Sequence, residues 1–136
     1  MYITKKEFNI IKTLKRFLSI EEYKDFKLLF KNRNVSKCII EIGNSVIIDY
    51  YNYNVFVYSM IIERTLGFRA KIELEKSNID LIEKLLSNKE IVALVKQLKD
   101  YDTIHINNRE IVIFKGKYSI TIPLKPSLKT LKSIKE

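Results

Sequence analysis

Ile72-Glu73-Leu74-Glu75-Lys76-Ser77-Asn78-Ile79-Asp80-Leu81-Ile82-Glu83-Lys84-Leu85-Leu86 changes period in mid-stretch, and that change decides the fold. Up to Glu75 apolar and charged residues alternate, the pattern of a strand with one buried face. From Ile79 the apolar residues are Ile79, Ile82, Leu85 and Leu86, the spacing of one helical face. Ser77-Asn78-Ile79-Asp80 supplies helix-start chemistry between the two. The run from Phe68 to Glu75 thus reads as a strand that feeds directly into a helix.

After Asn88, a candidate break, Ile91, Leu94, Val95 and Leu98 resume the helical pattern. Three strand-like runs follow, Thr103–Asn107, Arg109–Lys115 and Lys117–Pro123, with turns at Asn107-Asn108 and Lys115-Gly116. The same order stands upstream. Met1–Thr4 reads as a short strand, and Thr4-Lys5-Lys6-Glu7 fits a capping box. Phe8, Ile11, Leu14 and Leu18, widened by Ile10 and Phe17, form a helical stripe. Ile20–Lys31 continues helically with Tyr23, Phe26, Leu29 and Phe30 on one side, until Asn32-Arg33-Asn34 breaks the pattern. Lys37–Ile42 and Ser45–Tyr50, joined at Gly43-Asn44, and then Tyr53–Glu63 read as three strands. Thr65-Leu66-Gly67 is the connector. The chain is therefore strand–helix–three strands, twice, over 1–63 and 68–123. This predicts an α+β fold with antiparallel sheets, a single domain over 1–124 and a basic tail over 125–136, where Lys125, Lys129, Lys132 and Lys135 face only Glu136.

At 136 residues such a domain buries a core without staples. The single cysteine, Cys38, excludes an internal disulfide and points to a reducing, cytoplasmic setting. No apolar run is long enough to span a bilayer, and the N-terminus lacks the apolar core of a signal peptide. A formal charge of +9 favours a polyanionic partner. A bias of the coding sequence toward Lys, Ile and Asn accounts for the same surplus equally well.

The doubled order resembles the DNA sliding clamp family, the bacterial DNA polymerase III β subunit and the proliferating cell nuclear antigen. Ile72–Leu86 is similar to the strand-then-helix segment of the bacterial first domain. Thr103-Ile104-His105-Ile106-Asn107-Asn108-Arg109-Glu110-Ile111-Val112-Ile113 and Lys117-Tyr118-Ser119-Ile120-Thr121-Ile122-Pro123 resemble its closing hairpin. Met1–Phe8 resembles a clamp N-terminus. The likeness runs over about residues 1–126 and departs in two places. Ile20–Lys31 is longer than its counterpart and the added Ile91–Lys99 turns lengthen the second helix, and clamp subunits carry two or three such domains where this chain has one. The resemblance implies a non-enzymatic protein that binds duplex DNA without regard to sequence, a processivity factor or loading platform in replication or transcription. It also implies a head-to-tail homo-oligomer.

Residues that suit those roles are present. Lys5, Asn9, Lys12 and Arg16 share one stripe of the first helix, Lys15 flanks it, and no acid interrupts it between Glu7 and Ser19. Any surface helix has a polar face, so a solvated stripe is the competing reading. On the second helical segment Lys84, Lys89, Lys96 and Lys99 are the candidates, diluted by Asp80 and Glu83. For the oligomer interface the candidates are Tyr53, Val55, Val57 and Ile61 with Tyr118, Ile120 and Ile122. The run Tyr53–Glu63 is apolar on both faces, with Phe56, Tyr58, Met60 and Ile62 opposite the first group. Cover by the Ile20–Lys31 helix explains it equally well. Two other functions stay open: a clamp-fold factor that binds or blocks a host clamp or a polymerase, and a single-strand or RNA-binding module with Tyr50, Tyr51, Tyr53, Phe56 and Tyr58 as stacking platform. Catalytic signals are thin. Gly43, Gly67 and Gly116 are too scattered for a phosphate loop. One His and one Cys do not make a zinc site, and His105 reads as structural. Asp100 and Asp102 flank a helix-to-strand turn, where Asp is routine and a nuclease metal less so. No cofactor is implied.

Overall fold

The computed structural model describes residues 2–107 and 109–123. Asn108, half of the Asn107-Asn108 turn, and the basic tail from Lys125 lie outside the described residues. The elements are β1 (Tyr2–Thr4), α1 (Lys5–Phe17), α2 (Ile20–Lys31), β2 (Lys37–Ile42), β3 (Val46–Asn52), β4 (Val55–Ile62), β5 (Ala70–Glu75), α3 (Lys76–Leu86), α4 (Lys89–Val95), β6 (Thr103–Ile106), β7 (Glu110–Lys115) and β8 (Tyr118–Pro123). Two antiparallel four-stranded sheets result, ordered β1-β6-β7-β8 and β4-β3-β2-β5. The fold is α+β and the doubled order is real. Each repeat lends its first strand to the other repeat's sheet. The chain divides into two compact units, Glu7–Lys96 and Met1–Lys6 with Gln97–Glu136. Among the described residues no helix is long and apolar enough to cross a membrane.

In the Glu7–Lys96 unit one sheet face is strictly apolar. Cys38, Ile40 and Ile42 alternate with more exposed residues on β2, Val46, Ile48 and Tyr50 on β3, and Ile72 and Leu74 on β5. All these residues are buried, as period-two patterning demands. The helices contribute Phe8, Ile10, Ile11 and Leu14 (α1), Phe26 and Phe30 (α2), Ile79, Ile82 and Leu85 (α3), and Ile91 and Val95 (α4). Around Tyr50 the rings of Phe26, Phe30 and Tyr58 lie 6.5, 6.0 and 5.1 Å away. The Tyr50 hydroxyl donates to the Phe26 carbonyl at 3.1 Å, and that of Tyr58 to the Leu29 carbonyl at 2.6 Å. Burial pushes the Tyr50 phenol and the Cys38 thiol above their ordinary ranges, which leaves Cys38 an inert core residue.

Helix α2 is not a continuation of α1. Ser19 and Glu22 form a reciprocal capping box that starts it anew. Glu22 also pairs with Arg64, whose guanidinium lies 4.9 Å from the centroid of the Phe17 ring. The Arg64 hydrogen bonds, then the Ser19 amide, hold the Glu22 carboxyl down at about 2. Because the folded value lies below the ordinary one, the stabilising contribution is complete above about pH 4.5 and is lost as pH falls toward 2. Urea melts of wild type and Glu22→Gln should therefore differ at neutral pH and converge near pH 2. A gap independent of pH would mean that the Arg64 pair contributes nothing.

Several boundaries differ from the sequence reading: β3 runs on to Asn52, β4 covers only Val55–Ile62, and β5 begins at Ala70. Helix α3 begins at Lys76, so Ser77 is not its cap. The Lys76 amide donates to the Ser36 carbonyl at 3.1 Å and its ammonium to the Asn32 carbonyl at 2.7 Å, and the helix start lies two residues upstream of the one that a Ser77 cap would give. Gly43-Asn44 is part of a three-residue connection, closed by a hydrogen bond from the Gly43 amide to the Ser45 carbonyl at 2.9 Å. Asn88 does separate α3 from α4, its side chain accepting from the amides of Glu90 and Ile91.

In the other unit, cross-strand pairing aligns isoleucines on one face: Ile3, Ile104, Ile113 and Ile120 in one row, Ile106, Ile111 and Ile122 in the next. Ile3, Ile104, Ile111 and Ile113 are buried. Asp102, also buried, accepts from the Lys99 amide at 2.8 Å and from the Gly116 amide at 3.3 Å. It is a staple between two turns. Gly116, with φ of 60°, adopts a turn conformation that a side chain would strain.

Candidate nucleic-acid interface

The polar stripe of α1 follows from its apolar one. With Phe8, Ile11 and Leu14 buried, Lys12 and Arg16 lie on the opposite flank, one turn apart. Lys96, the cap residue after α4, adds a positive charge whose field reaches Lys12. Partial burial, then the charges of Arg16 and Lys96, push the Lys12 ammonium below its usual value. Lys12 and Arg16 are thus a like-charge pair, and such a pair one turn apart on a helix costs about 0.2–0.5 kcal/mol. A pair of this kind on a helix face suits a polyanion.

The other candidates do not join them. The Lys5 ammonium donates to the Leu98 carbonyl, within the unit that also holds Lys99. The Lys15 ammonium lies 5.9 Å from the centroid of the Tyr23 ring, and that of Lys99 lies 6.0 Å from the centroid of Tyr101. Asn9 is half-buried, its carbonyl accepting from the Thr13 hydroxyl at 2.8 Å. Lys84 and Lys89 are exposed. On α3, Glu83 is spent on α2, accepting from Tyr23 at 3.1 Å and Lys27 at 2.9 Å, so it does not oppose the basic side chains as its position suggests.

Strands β4 and β8 are both sheet edges. A register shift opposite Tyr50 and Tyr51 makes Val57 the extra residue and turns Phe56 to the Tyr51 and Ile61 face. The simple two-face division of this run is therefore wrong. Tyr58, Met60 and Ile62 share the face of Tyr50, where the Tyr50 and Tyr58 hydroxyls reach α2, while Ile61 remains 60% exposed on the other. Tyr53 lies in the β3–β4 turn, 77% exposed, at φ 57°. On β8, Tyr118 and Ile120 are exposed and Ile122 is half-buried; at the start of β4, Val55 is exposed and the bulged Val57 half-buried.

The proposed stacking platform is dismantled. Tyr50 is buried, Tyr58 is tied to α2, and Tyr51 packs edge-on against Phe56 with centroids 5.9 Å apart. The sequence reading also missed the Arg64–Glu22–Phe17 assembly; Ser19-Ile20-Glu21-Glu22 carried its signal as a capping-box spacing. Comparison of the chain with protein-family models, with curated proteins and with solved structures returns no match.

Proposed function

We propose that the protein is a non-enzymatic, sliding-clamp-like factor that binds duplex DNA without sequence preference and acts as a homo-oligomer in replication or transcription. The observation that carries the reading is the basic stripe of α1, Lys12 and Arg16 one turn apart on the flank opposite the buried Phe8, Ile11 and Leu14. Long basic side chains on helices neutralise phosphates and position a protein without reading bases. The doubled strand–helix–three-strand order supports it as well, since that order is what the clamp resemblance implies.

Support for assembly comes from the two edges. Unblocked edges pair with other chains, and joining β4 of one copy to β8 of the next is a heterologous contact that closes into a ring or runs on as a filament. Tyr53 adds to this. A tyrosine in the left-handed region costs about 1 kcal/mol, and such strain is retained where the side chain has a task. Tyr53→Gly should raise fold stability by up to about 1 kcal/mol while shifting light-scattering mass toward the monomer. Wild type that stays monomeric at all accessible concentrations, with and without DNA, overturns the assembly claim and leaves a partner-binding factor in its place.

A further inference from the structure

A cleft in the unit formed by Met1–Lys6 and Gln97–Glu136 is lined by Lys99, Tyr101, Asp102, Lys115, Lys117 and Tyr118. Its construction is unusual for a surface depression. The carboxylate at its base, Asp102, is buried, and its two oxygens are taken by the backbone amides of Lys99 and Gly116. That fixes the turn before β6 against the β7–β8 turn, so the cleft wall is rigid on both sides. The Lys99 ammonium lies by the Tyr101 ring. Among the described residues none of Lys99, Lys115 and Lys117 forms an ion pair. Two aromatic rings stand beside them in solvent, Tyr101 at 69% and Tyr118 at 78% exposure.

We propose that this cleft binds single-stranded nucleic acid, with Lys115 and Lys117 taking the phosphodiester and Tyr101 and Tyr118 offering ring faces to unpaired bases. The cations alone would suit any polyanion. The rings narrow the choice, because a duplex hides its base faces whereas an unpaired base gains by stacking on an aromatic side chain. Lys99, above the Tyr101 ring, adds a cation that both the ring and a phosphate attract. Lys12, Arg16 and Lys96 belong to the other unit, and separate variants test each site. Tyr118 is also an edge residue of β8, and a strand bound here would compete with edge-to-edge assembly.

The full chain has no tryptophan and eight tyrosines, so tyrosine fluorescence reports directly on ring stacking. Oligothymidylate of about 12 nucleotides, within the usual span of such sites, should bind and quench that emission. An abasic strand of equal length and polyglutamate should bind at least tenfold more weakly. Tyr101→Ala and Tyr118→Ala should each weaken oligothymidylate binding by about tenfold, while Tyr118→Phe should retain it. Lys115→Gln with Lys117→Gln should lower affinity for the strand and for the abasic control alike. Both rings are exposed, so the variants should fold, which circular dichroism checks. Equal affinity for abasic and thymidine strands, or unchanged affinity in both tyrosine variants, overturns the proposal; so does binding lost only in Lys12→Gln/Arg16→Gln.

Discussion

Phe26→Ala should cost about 3–5 kcal/mol of stability and lower the melting temperature by about 10–20 °C. Phe26 is 1% exposed and its ring touches those of Tyr23, Phe30 and Tyr50. The alanine variant keeps the carbonyl to which the Tyr50 hydroxyl donates, so the loss reports packing and the cavity left behind rather than a broken hydrogen bond. Its meaning is architectural. Helix α2 is where the chain departs from the length that the clamp resemblance implies, and the structure makes it a part of the core. Two tyrosine hydroxyls from the sheet cap its carbonyls, and Glu83 of α3 binds its Tyr23 and Lys27. Chemical denaturation followed by far-ultraviolet circular dichroism measures the effect. A loss under about 1 kcal/mol would show that α2 is an ornament on an independently stable sheet.

The elements were legible where one physical signal dominated. The change of period between Ile72–Glu75 and Ile79–Leu86 marks a strand that enters a helix, and the structure joins β5 to α3 without a loop. Alternation over Lys37–Ile42 and Val46–Tyr50 reports one buried face, which holds to the residue. Boundaries failed where the signal lay in chemistry that periodicity ignores. Apolar residues run unbroken past Leu18, so α1 and α2 read as continuous although Ser19 and Glu22 carry a capping box. Period counting also assumes one residue per step. The bulge opposite Tyr50 and Tyr51 adds one, and every side chain of β4 before it changes face.

The candidate site was legible as a list but not as a grouping. A helical wheel places Lys12 and Arg16 together. It says nothing of Lys96, whose field reaches Lys12 from the end of α4. The same limit scattered the rest: the Leu98 carbonyl holds Lys5 and the Tyr23 ring takes Lys15, partners distant in sequence or across a helix break. The tyrosines of β3 and β4 looked like a platform because composition cannot tell a buried ring from an exposed one. Tyr50 and Tyr53 differ by three positions and lie at opposite extremes of burial.

The most direct test of duplex binding through Lys12, Arg16 and Lys96 is the salt dependence of affinity, compared between wild type and Lys12→Gln/Arg16→Gln. Three phosphates neutralised per protomer release their counterions, so log K should fall against log salt with a slope of about −2.7, roughly a fortyfold loss from 50 to 200 mM salt. Removing two cations should flatten the slope by about 1.8, while unrelated duplex sequences should bind alike. The same variant should fold slightly more stably, by about 0.2–0.5 kcal/mol, because its like-charge pair is gone. Fluorescence anisotropy on one labelled duplex, titrated at a series of salt concentrations, reads the slopes. A wild-type slope near −2.7 that falls to about −0.9 in the variant is the predicted result, and slopes that coincide would contradict it.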